Sequence, residues 1–143
     1  MIGKTIKELS VGDTAQVEKT ISETDVYLYA GITGDLNPAH LNEEYAKGTF
    51  FKTRIAHGML IAGLISTILG NKLPGPGTIY THQSVNFLAA VLFGDTITAQ
   101  AEVVELDSEK NRVKLKTTCM NQKGTLVLDG EAIVSPPKSQ KNP

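Results

Sequence analysis

The chain has 143 residues, 41% of them apolar and 20% charged, which fits one folded domain with its own core and excludes a disordered polypeptide. A formal charge of −1 gives no electrostatic case for nucleic acid or an anionic membrane surface as partner. Cys119 stands alone, so there is no internal disulfide and no cysteine–histidine zinc spacing, and a reducing, cytoplasmic setting is expected. No apolar leader follows Met1.

Residues 14–20 (TAQVEKT) read as a strand, entered through the turn Val11–Asp13. Ser22 is a good helix cap, and Asp25 three positions on supplies the acidic half of a capping box for a helix over Asp25–Ala30. Gly31 and Gly34 are expected to break that helix. Asp35–Pro38 has the composition of a turn, with Pro38 suited to open a further short helix through Glu43–Ala46. Residues 48–57 show no sustained period and are expected to be loop.

Met59–Leu69 (MLIAGLISTIL) is apolar almost all round, with Ser66 and Thr67 as its only polar side chains. It is far shorter than the ~20 residues of a membrane span. The remaining reading is a helix that other elements must enclose. From Thr78 to Val134 the chain reads as strands over 78–88, 95–106, 112–120 and 125–134, separated by turns of hairpin length. Val113, Leu115 and Thr117 alternate with Arg112, Lys114 and Lys116, giving one dry face and one wet face. An α+β domain follows, an antiparallel sheet wrapped around a central helix, which is the hot-dog architecture. One sheet covers only part of such a helix, so a homodimer or higher homo-oligomer is expected. The domain is drawn over residues 1–135, with 136–143 as a loose tail.

Two clusters carry chemistry. Asp35 and His40 are five residues apart across a proline-initiated turn, and a carboxylate and an imidazole sharing one water can activate it and return a proton. Taken alone, the pair reads equally as a turn cap and a surface histidine. His57-Gly58 opens the apolar helix, where unpaired backbone N–H groups face outward. Glycine there either admits an oxygen close to the Gly58 N–H, as an oxyanion hole requires, or simply eases entry into a crowded core. Ser66 by default bonds a carbonyl one turn back. Cys119 reads as packing, and His82 as a strand residue without a partner.

The stretch Tyr29–His40, with Gly-Asp-Leu-Asn-Pro-Ala-His over residues 34–40 and then Ala46, resembles the hydratase-2 motif of the MaoC-like, (R)-specific enoyl-CoA hydratases. Residues 51–58 (FKTRIAHG) resemble a second block of that family, and Leu73–Phe87 a third; the similarity spans about residues 8–135. The resemblance implies reversible addition of water to a trans-2-enoyl-CoA, giving the (R)-3-hydroxyacyl-CoA. It assigns Asp35 and His40 to the water, the Gly58 amide to the thioester carbonyl and Ser66 to the active site. Asn37, Pro38 and His57 take supporting places. Lys52 and Arg54 are candidates for coenzyme A phosphates, against the alternative of a solvated basic turn. No metal and no cofactor beyond the coenzyme A of the substrate is expected. A hot-dog thioesterase, a dehydratase of specialised coenzyme A or acyl-carrier-protein substrates, and a non-catalytic acyl-CoA binder are the rival readings.

Overall fold

In the computed structural model, which describes residues 1–139, the apolar run forms one helix, α4 (Gly58–Asn71), 14 residues and thus ~21 Å long. Ile61, Ile65, Ile68 and Leu69 recur at helical spacing and are buried, each contributing roughly 1.5–3 kcal/mol by leaving water. Met59, Gly63, Ser66, Thr67 and Gly70 lie on the opposite face and are exposed. The chain therefore encloses α4 on one side only.

The enclosing layer is an antiparallel sheet of six strands: β1 (Thr14–Thr20), β2 (Ile79–Gln83), β3 (Asn86–Phe87), β4 (Thr96–Asp107), β5 (Arg112–Met120) and β6 (Leu126–Ser135). Their order is β1-β4-β5-β6-β2, with β3 also on β6, so consecutive hairpins build the centre and β2 is an open edge. The alternation in β5 is as expected: Val113, Leu115, Thr117 and Cys119 point to the core, and Ala99 and Ala101 of β4 keep that face low enough for α4 to sit on it. A helix laid on the concave face of an antiparallel sheet is the hot-dog fold of the α+β class.

Three expectations need correction. The segment 78–88 is two strands, because the chain at Ser84 passes directly over Gly130 of β6, where a Cβ would stand 1.8 Å from the Ser84 carbonyl oxygen. Ser84 there forms its own bonds to Glu131 (N–H to O 2.9 Å, and Oγ accepting from Glu131 N–H at 3.0 Å) and interrupts the ladder. Helix α1 runs Glu23–Thr33, so Gly31 lies inside it. Only Gly34, at φ 77°, ends it, by donating its N–H to Ala30 O at 2.9 Å. At the other end, Pro136 and Pro137 are buried, so packing extends past Ser135. The last four residues of the expected loose tail lie outside the described residues.

The capping box is present as read: Ser22 Oγ accepts from Asp25 N–H at 3.0 Å, and the Asp25 carboxylate accepts from Ser22 N–H at 2.9 Å. Between α1 and α4 the chain forms two single-turn helices, α2 (Pro38–Leu41) and α3 (Glu43–Ala46), then the loop 48–57. No helix among the described residues is long and apolar enough to cross a membrane.

Candidate active site

Gly34 stops α1 and turns the chain so that Asp35 begins an exposed loop, and the next residues set its exit. Asn37 caps α2, its Oδ1 accepting from Ala39 N–H at 3.0 Å, and Pro38 occupies the first helical position. This brings His40 round onto the side of Asp35. Loop 48–57 is stitched across from there to the sheet side. Ile55 N–H donates to Ala39 O at 3.2 Å, Ile55 pairs with Leu92, and Ala56 N–H donates to Val91 O at 2.8 Å.

His40 Nδ1 lies 2.7 Å from Ile55 O. A carbonyl oxygen only accepts, so Nδ1 carries the proton and the neutral ring presents its lone pair at Nε2. Among the described residues the Asp35 carboxylate accepts one long bond, from Asn37 N–H at 3.4 Å. One nitrogen or oxygen from each of Asp35, His40 and His57 falls within 4.8 Å of the others. The His40 and His57 rings are stacked at 3.9 Å and 30°, which sets their in-plane lone pairs side by side rather than toward one point. A shared metal ion needs convergent donors at ~2.0–2.1 Å, so this arrangement suits a water better than a cation.

His57 caps α4 without a side-chain bond to the helix backbone; Leu60 N–H turns back to His57 O at 3.1 Å, while the Gly58 and Met59 N–H groups have no hydrogen-bond partner among the described residues. Asp35, His40, His57 and Gly58 line one cavity of about 470 Å³. Its remaining wall is mostly apolar, from Ile55, Ile61, Phe87, Leu88, Val127 and Leu128 among others. Gly58 has a steric reason as well: a Cβ there would stand 2.6 Å from the Phe87 ring. Of the two readings of this glycine, the crowded one is thus directly visible, and the free N–H makes the other available too. The site offers an acid–base pair at one end of an apolar slot, with a backbone donor and the positive end of a helix beside it.

Residues 10–124 match the MaoC like domain. The chain belongs to the MaoC-like family. Among its relatives, the (R)-specific enoyl-CoA hydratase of Rhodospirillum rubrum is 53% identical over 131 residues, which is 92% of this chain and 90% of that one. A 3-hydroxybutyryl-CoA dehydratase of Methylorubrum extorquens is 49% identical, across 94% of this chain and 85% of that one. The solved (R)-hydratase of Aeromonas caviae, involved in polyhydroxyalkanoate biosynthesis, superposes with a TM-score of 0.89 at 40% identity, covering 92% of this chain and 99% of the other.

Within this MaoC-like chain, not every expected residue reaches the cavity. Ser66 is exposed on α4, forms none of the hydrogen bonds seen among the described residues, and lines a second cavity with Met59, Gly63, Tyr80, His82 and Phe87. Arg54 is a correction. Its guanidinium is engaged by Glu23 (3.1 Å), Glu43 (3.2 Å) and the Tyr27 hydroxyl (2.6 Å), and it lies 4.7 Å over the Phe93 ring. Coenzyme A phosphates would have to displace two carboxylates from it. The Tyr27 hydroxyl and then Arg54 hold the Glu23 carboxyl below its ordinary value; for Glu43 the Thr53 hydroxyl leads, followed by the Arg54 N–H and guanidinium. Lys52 sits exposed in the same loop at φ 63° and does not line the cavity. Cys119 is fully buried and its thiol is pushed up to about 12 by that burial, in keeping with packing rather than nucleophilic duty.

Two contributors have no signal in the sequence. The Ile55 carbonyl that sets the His40 tautomer is backbone, and any residue but one unable to place that oxygen would serve. The closeness of His57 to both Asp35 and His40 depends on how a loop and two helices fold together, across 22 and 17 positions of chain.

Proposed function

We propose that this chain is an (R)-specific enoyl-CoA hydratase, adding water reversibly to trans-2-enoyl-CoA thioesters, and that it acts as a homodimer without metal or added cofactor. The observation that carries the reading is the convergence of the Asp35 carboxylate, the free Nε2 of His40 and the unpaired Gly58 N–H on one apolar cavity. The names of relatives at 53% and 40% identity over nine-tenths of the chain support the same chemistry and its stereochemical sense.

The steps follow from the groups present. The enoyl chain lies along the apolar wall and the thioester oxygen accepts a hydrogen bond from Gly58 N–H, so negative charge gathering there as an enolate is stabilised. One water donates to Asp35 and to His40 Nε2. As its oxygen attacks C3 the pair takes up a proton, and a proton passes from the pair to C2. A hydroxyl is gained at C3 and a hydrogen at C2, and the pair returns to its starting charge. A donor of the Gly58 kind contributes ~3 kcal/mol, and a positioned acid–base group roughly 10²–10⁴ in rate.

The homodimer reading rests on the open side of the chain, where the exposed face of α4 and the unpaired edge β2 are adjacent and frame the second cavity. A second copy would cover that face. The lone buried Cys119 suits a reducing, cytoplasmic setting.

Crotonyl-CoA tests the reaction. Loss of the conjugated-enoyl absorbance without release of free thiol, and an (R)-3-hydroxybutyryl product on chiral analysis, is the expected result. Free thiol with the conjugation intact would make the chain a thioesterase instead.

A further inference from the structure

His57 is 2% exposed, and the reaction as derived gives it nothing to do. Its Nε2 lies 3.0 Å from the Asp35 backbone oxygen, and since that oxygen only accepts, Nε2 carries the proton. Its Nδ1 is buried and has no hydrogen-bond partner among the described residues. A second proton there would be a buried donor with no acceptor, so the geometry favours the neutral Nε2–H ring. One face of that ring is stacked on His40 at 3.9 Å; the Tyr29 ring, at 4.7 Å and 53°, is also against it. The titratable groups in contact with it are thus Tyr29 from α1, Asp35 from the loop and His40 from α2.

We infer that His57 is the positioning residue of the acid–base pair: one buried side chain holds the Asp35 loop through Nε2–H and seats the His40 ring by stacking. The two ties reach the two partners separately. Among the described residues Asp35 has no other long-range hydrogen bond to keep its loop at the cavity, since its remaining hydrogen bonds are to Thr33 and Asn37, both local. His40 is fixed at Nδ1 by Ile55 O, which leaves rotation about that bond, and a flat neighbour at 3.9 Å limits it. A neutral ring also suits a neighbour that passes through a protonated state, because its π face attracts a cation where a second cation would repel it. The orphaned Nδ1 is the cost of this arrangement: an acceptor at that nitrogen would draw the proton to Nδ1 and away from the tautomer that the Asp35 carbonyl requires.

This inference rests on the hydratase reading for its kinetic part and on nitrogen spectroscopy for its structural part. His57→Gln keeps an N–H donor near Nε2 and removes the ring; His57→Phe keeps a stacking ring and removes the donor. Each is expected to lower kcat for crotonyl-CoA by roughly 10–100-fold with KM little changed, and each to retain more activity than His57→Ala. Wild-type kcat in both single-tie variants, or a change confined to KM, would overturn the inference. In unsubstituted protein labelled with nitrogen-15 at its three histidines, long-range proton–nitrogen spectra should show His57 protonated at Nε2 and His40 at Nδ1. His57→Phe should leave the His40 tautomer in place, and His57→Gln should shift its ring signals. A His57 protonated at Nδ1 would refute the assignment without any turnover being measured. If the unsubstituted protein fails to hydrate crotonyl-CoA, the function falls, and the spectra still decide whether His57 holds Asp35 and His40. If His57→Phe does not fold, His57→Gln and the unsubstituted spectra carry the decision.

Discussion

Asp35 is the side chain at the site with the fewest ties, and that freedom is what a group receiving a proton from water needs. Asp35→Asn preserves its shape and its long bond from Asn37 N–H while removing the charge. Turnover of crotonyl-CoA is expected to fall by roughly 10²–10⁴ with the thermal midpoint unchanged within a degree or two. Unchanged turnover in steady-state kinetics would remove Asp35 from the mechanism. Arg54 behaves oppositely, being bound on three sides by its own chain. Arg54→Gln should leave KM for crotonyl-CoA as it was and lower the urea midpoint, because Glu23, Glu43 and Tyr27 lose a common partner. A raised KM with unaltered stability would instead return Arg54 to the phosphate-binding role that the sequence alone suggested.

Among the elements, α1 depends on a signal contained in four consecutive residues. Bonding to the Ser22 N–H leads in holding the Asp25 carboxyl below its ordinary value of 3.8, with Lys19, 3.0 Å away, assisting. A carboxyl lowered in the folded state contributes stability above its unfolded value, and that stability is lost as pH falls through the folded one. Asp25→Ala should therefore cost about 1 kcal/mol near neutrality and progressively less below pH ~3.8, as chemical denaturation at a series of pH values would read. Such local signals were legible: the capping box, the proline opening α2, the alternation along β5 and the apolar length of α4 are all written in neighbouring residues. What was not legible depends on residues far apart. The break between β2 and β3 comes from Gly130 passing beneath Ser84, and Arg54 was read as a free basic residue because its carboxylates lie 31 and 11 positions away. Spacing alone left the Asp35–His40 pair open between two readings and the family resemblance assigned it to the water; the ties from Ile55 O and His57 that orient it had no signal in the sequence.

At the scale of the whole molecule, the face of α4 beside edge β2 is open, in keeping with a helix that a single sheet covers only in part. Gly63 lies in the middle of that face and has no heavy atom within 4 Å of where its Cβ would be, so a side chain there starts without a clash and extends into the open second cavity. Gly63→Arg should fold at least as well as the parent, since arginine is the better helix former. It should sediment as a monomer where the parent sediments as a dimer. A parent that is itself monomeric would end the homodimer reading.

The backbone of the segment from Gly34 to His57 is tied at Ile55 and Ala56 to Leu92 and Val91 in the loop before β4, while the strands hold one another along their full lengths. Elements with so few attachments open at lower free energy than the body they rest on. Warming should accordingly separate two events: irreversible loss of turnover at a temperature where the far-ultraviolet circular dichroism is still native, and cooperative melting of the sheet only later. Shelf life would then be governed by those two attachments rather than by the core, and chain-shortening or cross-linking between loop 48–57 and residues 91–92 would extend it without touching a catalytic group.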